Sequence, residues 1–230
     1  VDDNEDHKEM ERIYEEVANL RFRLGMKPNI WPTLILRNFR TRGKSGTGAW
    51  NSGMLLAREI YPNSVVSFLD DDDAYAPTHL RNCFNASDSR GVVAVFEQCL
   101  WITSNGHKWI PQKLRVQNLT QYHFLVGNPG VQGSNMFFKM KSILDIGGFD
   151  ESFHSTTDRE LMVRFLDMYD HQQVRVLEET GTFHYCHNSF RITTSILHKH
   201  AGLDSFYRKY QSLFTEYCYI RSIHRAKILF

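Results

Sequence analysis

The 230-residue sequence has an ordinary composition for a soluble globular protein, with 42% hydrophobic and 23% charged residues. Its net charge of +1 gives no electrostatic reason to expect a nucleic acid or a strongly acidic partner. No apolar run approaches the ~20 residues that span a bilayer. The four cysteines form no CxxC pair, so a zinc site built from paired cysteines is not expected, and their low density favours a reducing, cytoplasmic compartment.

In chain order, the first half of the sequence alternates helical and strand patterns. Helical spacing of apolar residues and the positions of proline and glycine predict helices over 8–24, 49–60 and 79–85. Runs of β-branched and aromatic residues predict buried strands over 33–36, 65–69 and 91–96. This alternation is typical of a parallel α/β sheet.

The second half of the sequence has a more mixed pattern. A hairpin is expected around Asn105-Gly106, followed by a loop over 120–133. Beyond it, strands are predicted over 134–138, 174–177 and 182–187, the last as an edge element, and helices over 141–146 and 158–169. The end of the chain is helical and rich in aromatics. We therefore expect one domain over 1–195 and a helical extension over 196–230 that packs on it.

A glycine-bearing basic loop over 38–48 opens onto the second predicted helix. Gly43-Lys44-Ser45 is similar to part of a P-loop, but that motif needs a further glycine at a position that Asn38 occupies, so we reject it. Backbone amides and a helix N-terminus still suit a phosphate. A surface loop with solvated arginines explains the same residues equally well.

Four consecutive carboxylates, Asp70 to Asp73, leave the end of the strand predicted over 65–69. Like charges this close raise one another's pKa, so a positive partner is expected nearby. Hard Mg²⁺ or Mn²⁺ takes oxygen ligands of this kind. The alternative is a solvated acidic turn, but ligands of open α/β sheets bind at the carboxyl ends of strands.

Four segments occur in an informative order. They are Val1-Asp2-Asp3, Gly43 to Gly53, Phe68 to Asp73 with Pro77 and Leu80, and Gly147-Gly148-Phe149-Asp150-Glu151 with Thr157 to Leu161 and Arg164. Together they resemble family 2 glycosyltransferases of the GT-A fold over about 1–191. Trp50 stands where arginine is usual, and Thr157 replaces a glutamate. The family's first strand and helix have no counterpart ahead of Val1, so we expect the sequence to be an incomplete part of such a domain.

The resemblance implies an α/β fold of the GT-A type, with a Rossmann-like, mostly parallel sheet flanked by helices. It implies transfer of a hexosyl-type sugar from a nucleotide-diphosphate donor, a UDP-sugar as first choice, to an acceptor hydroxyl with inversion. The acceptor would be a glycan, a lipid-linked molecule or a small molecule. The cofactor would be Mn²⁺ or Mg²⁺, because the leaving diphosphate needs a Lewis acid.

The resemblance also assigns the residues that bind the nucleotide. Asp2 and Asp3 look like the acidic pair that contacts the base and the ribose. Gly43, Lys44 and Asn51 fall in the segment that matches the nucleotide-binding loop and the helix start after it.

Within the acid run, the resemblance gives each aspartate a different role. Asp70 would face the ribose and the metal shell, and Asp72 would bind the metal directly. Asp73 would support the metal or face the sugar, and Asp71 would point away.

Two histidines near the end of the likeness are candidates for a metal ligand. His187 is preferred over His184, because Arg191 follows it and can pair with phosphate oxygens. A structural role for either histidine is an equally good interpretation.

Asp158 is the candidate general base that would take the acceptor's proton. It is expected at a helix start, where the dipole favours the anion and lowers its pKa. Burial or an acidic neighbour would therefore have to raise that pKa for effective proton abstraction. The alternative is an ordinary acid in the first turn of a helix.

Two other functions stay open. One is a catalytically inactive module that binds a nucleotide sugar. The other is a metal-dependent phosphohydrolase, which would need a second metal set that the sequence does not offer. The aromatic and basic C-terminal segment is expected to pack on the domain, with peripheral membrane contact as a minority interpretation.

Overall fold

A computed structural model describes residues 1–3, 7–25, 34–42, 45–186 and 196–229. The helices are α1 (His7–Arg23), α2 (Thr47–Ile60), α3 (His79–Ser87), α4 (Gln121–Val126), α5 (Met140–Asp145), α6 (Thr157–Met168), α7 (Ile196–Tyr210) and α8 (Glu216–Leu229). The strands are β1 (Val65–Ser67), β2 (Asp73–Tyr75), β3 (Ala94–Thr103), β4 (Lys108–Trp109), β5 (Met136–Lys139) and β6 (Val174–Cys186).

These strands form one sheet in the order β1-β5-β3-β6-β2, with β4 paired to β3 as a hairpin. The predicted α/β architecture is present, but four of the five strand pairs are antiparallel, so the described sheet is mixed rather than mostly parallel. β1 and β3 do run in the same direction, as the strand–helix–strand pattern indicates. β5 inserts between them in the opposite direction, and no local pattern in the sequence reveals that insertion.

Several predicted elements have different limits in the structure. The predicted loop over 120–133 contains α4, which is too short for its helical period to be recognised. The two strands predicted over 174–187 are one continuous strand, β6, which lies between β3 and β2 instead of at an edge. The helical C-terminal segment divides into α7 and α8.

One large apolar core extends from the sheet to the C-terminal helices. Phe138 makes edge-to-face contacts with Phe96 and Phe165, at ring-centroid distances of 5.7 and 5.2 Å. Phe206 and Tyr210 of α7 belong to the same core cluster. Each large apolar side chain buried in this way contributes about 1.5–3 kcal/mol, so α7 shares in the stability of the sheet.

A buried ionic network joins α6 to α7. Glu160 has a side chain only 1% exposed, and its carboxylate lies 2.7 Å from Arg164 and 2.8 Å from both Lys209 and the Tyr210 hydroxyl. Arg164 also donates to the carbonyl of Gly148 at 2.8 Å. The network therefore fixes the turn before α6 and the helix after it.

Cys83, Cys99 and Cys218 are buried, Cys186 is half-buried, and none of the four is in a disulfide. Burial raises the pKa of the Cys99 thiol to about 12. Among the described residues, no helix is both long and apolar enough to cross a membrane.

Candidate active site

The acid run occupies the connection between β1 and β2. Carboxylate oxygens of Asp70, Asp72 and Asp73 lie within 4.8 Å of one another. The backbone N–H of Asp70 donates to the Ser134 hydroxyl at 3.0 Å, and Asp73 begins β2, where it pairs with His184 of β6. Asp71 is exposed, so its role as a bystander stays a prediction that the geometry suits.

A tyrosine closes the base of this loop. The Tyr75 hydroxyl donates to the carbonyl of Phe68 and lies 2.8 Å from the Ser67 hydroxyl. β2, which carries Tyr75, was not predicted from the sequence, and Pro77 does not interrupt it. The proline falls two residues beyond the strand instead, and the strand's partner is distant in sequence.

The carboxylates of the loop are crowded and incompletely neutralised. Burial, followed by the charges of Asp73 and Asp72, raises the pKa of Asp70 to about 6. Asp73 Oδ1 lies 2.9 Å from His184 Nδ1, whereas the buried Asp73 Oδ2 has no hydrogen-bond partner among the described residues. A cluster of oxygen ligands with a carboxylate oxygen left over fits a hard divalent cation.

Asp158 lies in the first turn of α6 and is partly buried. Burial, with a smaller contribution from the charge of Asp70, raises its pKa to about 7, and a hydrogen bond from the Gly133 backbone only partly offsets this. The structure thus supplies both effects that a base at this position needs. Thr156, just before the helix, has a φ of 68°, a conformation that β-branched residues rarely adopt.

A cavity of about 220 Å³ lies beside Asp158, between α4, α6, α7 and α8. Lys199 and Arg225 contribute positive charge to its lining. Arg225 packs closely over Gly127, where an added Cβ would lie 2.5 Å from the guanidinium. Asp158 itself is among the residues that line this cavity.

The acidic pair at the start of the chain is held against the basic loop and α2. The backbone of Asp2 forms an isolated parallel β-bridge with that of Arg37. The Asn38 side chain donates from Nδ2 to Asp3 Oδ1 at 2.5 Å. Asn38 in turn accepts a hydrogen bond of 2.6 Å from the Ser52 hydroxyl of α2. In the sequence, Asn38 is notable only because it occupies the position of a P-loop glycine. Its bonds to Asp3 and Ser52 could not be predicted, because these partners are far from it in the chain.

Asn51 joins α2 to the turn before α6. Its side chain is buried, donates to the Phe149 carbonyl and to Glu151 at 2.9 and 2.7 Å, and accepts from the Phe149 N–H at 2.9 Å. Both ends of the amide thus have partners within the chain. These bonds fasten the turn at Gly148 to α2, and a contact of Asn51 with the nucleotide stays a prediction.

The remaining predicted ligands cannot be placed. Gly43, Lys44, His187 and Arg191 lie outside the described residues. His184, the alternative to His187, is described and contacts the acid run through Asp73.

Neither a protein-family model nor a curated protein sequence matches the chain. Among solved structures, the chain is similar to S. aureus TarS 1–349 in complex with UDP-GlcNAc, with a TM-score of 0.57 and 12% identity over 79% of this chain and 48% of that one. A second S. aureus TarS structure gives a TM-score of 0.52 and 14% identity over 75% of this chain and 28% of that one. The chain spans about half of the first structure and less of the second. At these identities the likeness shows the fold, and it confirms the predicted class, a glycosyltransferase fold.

Proposed function

We propose that the chain is a metal-dependent glycosyltransferase domain that moves a hexosyl group from a nucleotide-diphosphate sugar, a UDP-sugar as first choice, to an acceptor hydroxyl. The observation that carries the proposal is the pairing of Asp158, with a pKa of about 7, and the acid run whose charge helps to set it. UDP-GlcNAc bound to TarS supports the choice of donor. Inversion and membership of family 2 rest on the sequence resemblance.

Asp70 and Asp72 would hold Mn²⁺ or Mg²⁺, with Asp73 and His184 beside them. When bound, the cation would supply positive charge for the leaving diphosphate. Asp2 and Asp3 would contact the nucleoside.

Asp158 would take the proton from the acceptor hydroxyl. A carboxyl group with a pKa near 7 is a stronger base than an ordinary aspartate and is still about half ionised at neutral pH. The deprotonated oxygen would attack the anomeric carbon on the face opposite the diphosphate, which gives inversion. The cavity beside Asp158 is where a glycan, a lipid-linked acceptor or a small molecule would enter.

All four cysteines carry free thiols, which supports a reducing, cytoplasmic location for this reaction. A peripheral contact of α8 with a membrane is a further proposal, since Tyr217, Tyr219 and Ile220 are exposed on that helix.

Calorimetry with Mn²⁺ and UDP-, GDP- and dTDP-sugars tests the proposal. We expect UDP-sugar binding to require the metal, to be lost in Asp72→Asn and to persist in Asp71→Asn, which removes an exposed acid from the same run. Slow hydrolysis of the donor would accompany binding.

The alternatives give different results. Metal-dependent binding with neither hydrolysis nor transfer would favour an inactive module that binds a nucleotide sugar. Phosphodiester cleavage without affinity for any nucleotide sugar would contradict the proposal.

A further inference from the structure

A second group of metal-ligating side chains lies in the interior, separate from the acid run. His79, Cys83 and Glu97 are all fully buried, and one ligand atom from each lies within 4.8 Å of the others. His79 and Cys83 are four residues apart on α3, so they share a face of the helix. Glu97 reaches them from β3.

The carboxylate in this group is incompletely satisfied. Glu97 Oε2 lies 2.7 Å from His79 Nδ1, but the buried Glu97 Oε1 has no hydrogen-bond partner among the described residues. A buried oxygen of a charged group that makes no hydrogen bond leaves the cost of its desolvation uncompensated. A ligand that used this oxygen would remove that cost.

The Cys83 thiol lies next to this carboxylate, and a bound cation would stabilise its deprotonated form. Cys83 Sγ lies 3.8 Å from His79 Nδ1. Burial, and then the charge of Glu97, raises the pKa of the Cys83 thiol. A thiol and a carboxylate thus lie close together in a fully buried site, and one imidazole contacts both.

We propose that His79, Cys83 and Glu97 bind a Zn²⁺ ion. Nitrogen, sulfur and carboxylate oxygen are the three ligand types that zinc takes in proteins. Binding would release the thiol proton, and the thiolate and carboxylate would then balance the charge of the metal inside the core. The set contains one cysteine, so a search for CxxC pairs does not find it.

The distances suit this ion. Zn–N and Zn–S bonds of about 2.0 and 2.3 Å place N and S roughly 3.5 Å apart in a tetrahedral site, close to the 3.8 Å between His79 and Cys83. The contact between His79 Nδ1 and Glu97 Oε2 would widen by about 0.6 Å on the same geometry.

The surroundings of His79 orient its ring for this role. His79 Nε2 lies 3.4 Å from the Ser67 hydroxyl, a partner that can accept its proton and leave Nδ1 to the metal. The ring of Tyr75 stacks on the imidazole at 4.0 Å. Gly181 of β6 closes the site, since a Cβ there would lie 1.5 Å from Glu97 Oε2.

The position of the site indicates what the zinc would do. Ser67 and Tyr75 also close the base of the acid run, so the ion would stabilise the support of that loop without meeting substrate. The acid run offers only oxygen and would select a harder cation. The two sites can therefore be distinguished by metal preference.

The metal content of the full chain tests the proposal. Protein produced with added zinc, then desalted, should hold about one zinc per chain by mass spectrometry, as the single site requires. Cys83→Ser and His79→Gln should lose it. Cys99→Ser, which removes another buried thiol, and Asp72→Asn, which alters the acid run, should keep it. None of these measurements depends on transferase activity.

Cobalt gives a second readout on the wild-type chain, in case the variants fold poorly. Co²⁺-loaded protein should show a thiolate-to-metal absorption band that zinc abolishes, and a chelator should lower the melting temperature until zinc is returned. Wild-type protein that retains no zinc and shows no such band would overturn the proposal. So would a folded Cys83→Ser variant that keeps the metal.

Discussion

Asp158 lies at a helix start, where the dipole would lower its pKa, but its other surroundings raise that pKa. Its partial burial and the nearby charge of Asp70 disfavour the ionised form, and one backbone N–H from Gly133 does not compensate. The proposed chemistry depends on this balance, because an aspartate with an ordinary pKa would be a weak base.

Replacing this carboxylate should separate donor binding from transfer. We expect Asp158→Asn to reduce the transfer rate by about 10²–10⁴-fold, the usual contribution of a general base, with donor affinity near that of the wild type. Initial rates and calorimetry measure the two quantities. Asp167→Asn, an exposed acid of the same helix, serves as the control. Transfer that persists in Asp158→Asn would show that another group is the base.

The raised pKa also predicts how the rate depends on pH. Only the ionised form of Asp158 accepts a proton, so kcat/KM should rise about tenfold per pH unit below the pKa and level off above pH of about 7. A profile at saturating Mn²⁺ measures this, and Asp158→Asn should lack the rise. A wild-type rate that is constant across this range would contradict the assignment.

At the scale of elements, α6 is anchored by charges as well as by its apolar face. Glu160 is almost completely buried, and three groups from two helices satisfy it. Removing one partner of a buried ion pair leaves an uncompensated charge, which is more destabilising than the loss of an exposed pair.

Arg164→Met should therefore lower the free energy of unfolding by about 3 kcal/mol. The comparison is Arg12→Met, which breaks the exposed pairs with Glu9 and Glu16 and should cost about 0.5 kcal/mol or less. Urea unfolding of both variants measures the difference. Equal effects would mean that Lys209 and Tyr210 satisfy Glu160 without the arginine.

Local features of the sequence were sufficient for some elements and not for others. The strand before the acid run and the helix α6 were predicted, because a run of β-branched residues and an amphipathic period are both local patterns. β2 and the bonds of Asn51 were not, since their partners lie about 100 residues away. The likeness to a known family located Asp158, and only packing revealed its pKa.

At the scale of the whole molecule, the C-terminal helices and the sheet share one core. The guanidinium of Arg159 lies 4.0 Å above the ring of Phe206 and donates to Ser222 of α8 at 3.1 Å. The division at residue 195 thus stays a prediction about sequence segments, with extensive contact across it.

This shared core predicts cooperative unfolding. Thermal unfolding followed by circular dichroism and by tyrosine and tryptophan fluorescence should give one coincident transition. A chain shortened to residues 1–195 should lose its cooperative transition, because Phe206 and Tyr210 leave the core with it. Two separate transitions, or a stable shortened chain, would show that the extension is an independent unit.

The unequal burial of the four thiols has a practical consequence for spectroscopy. Reactive cysteines are accessible ones, and the buried thiols of Cys83, Cys99 and Cys218 are shielded while the chain stays folded. Cys186 is half-buried at the end of β6, two residues beyond the histidine that contacts Asp73. A maleimide dye added to the native protein should thus attach at one place, beside the acid run. A dye on Cys186 should therefore report cation binding at the acid run by a change in its fluorescence, without any substitution in the chain.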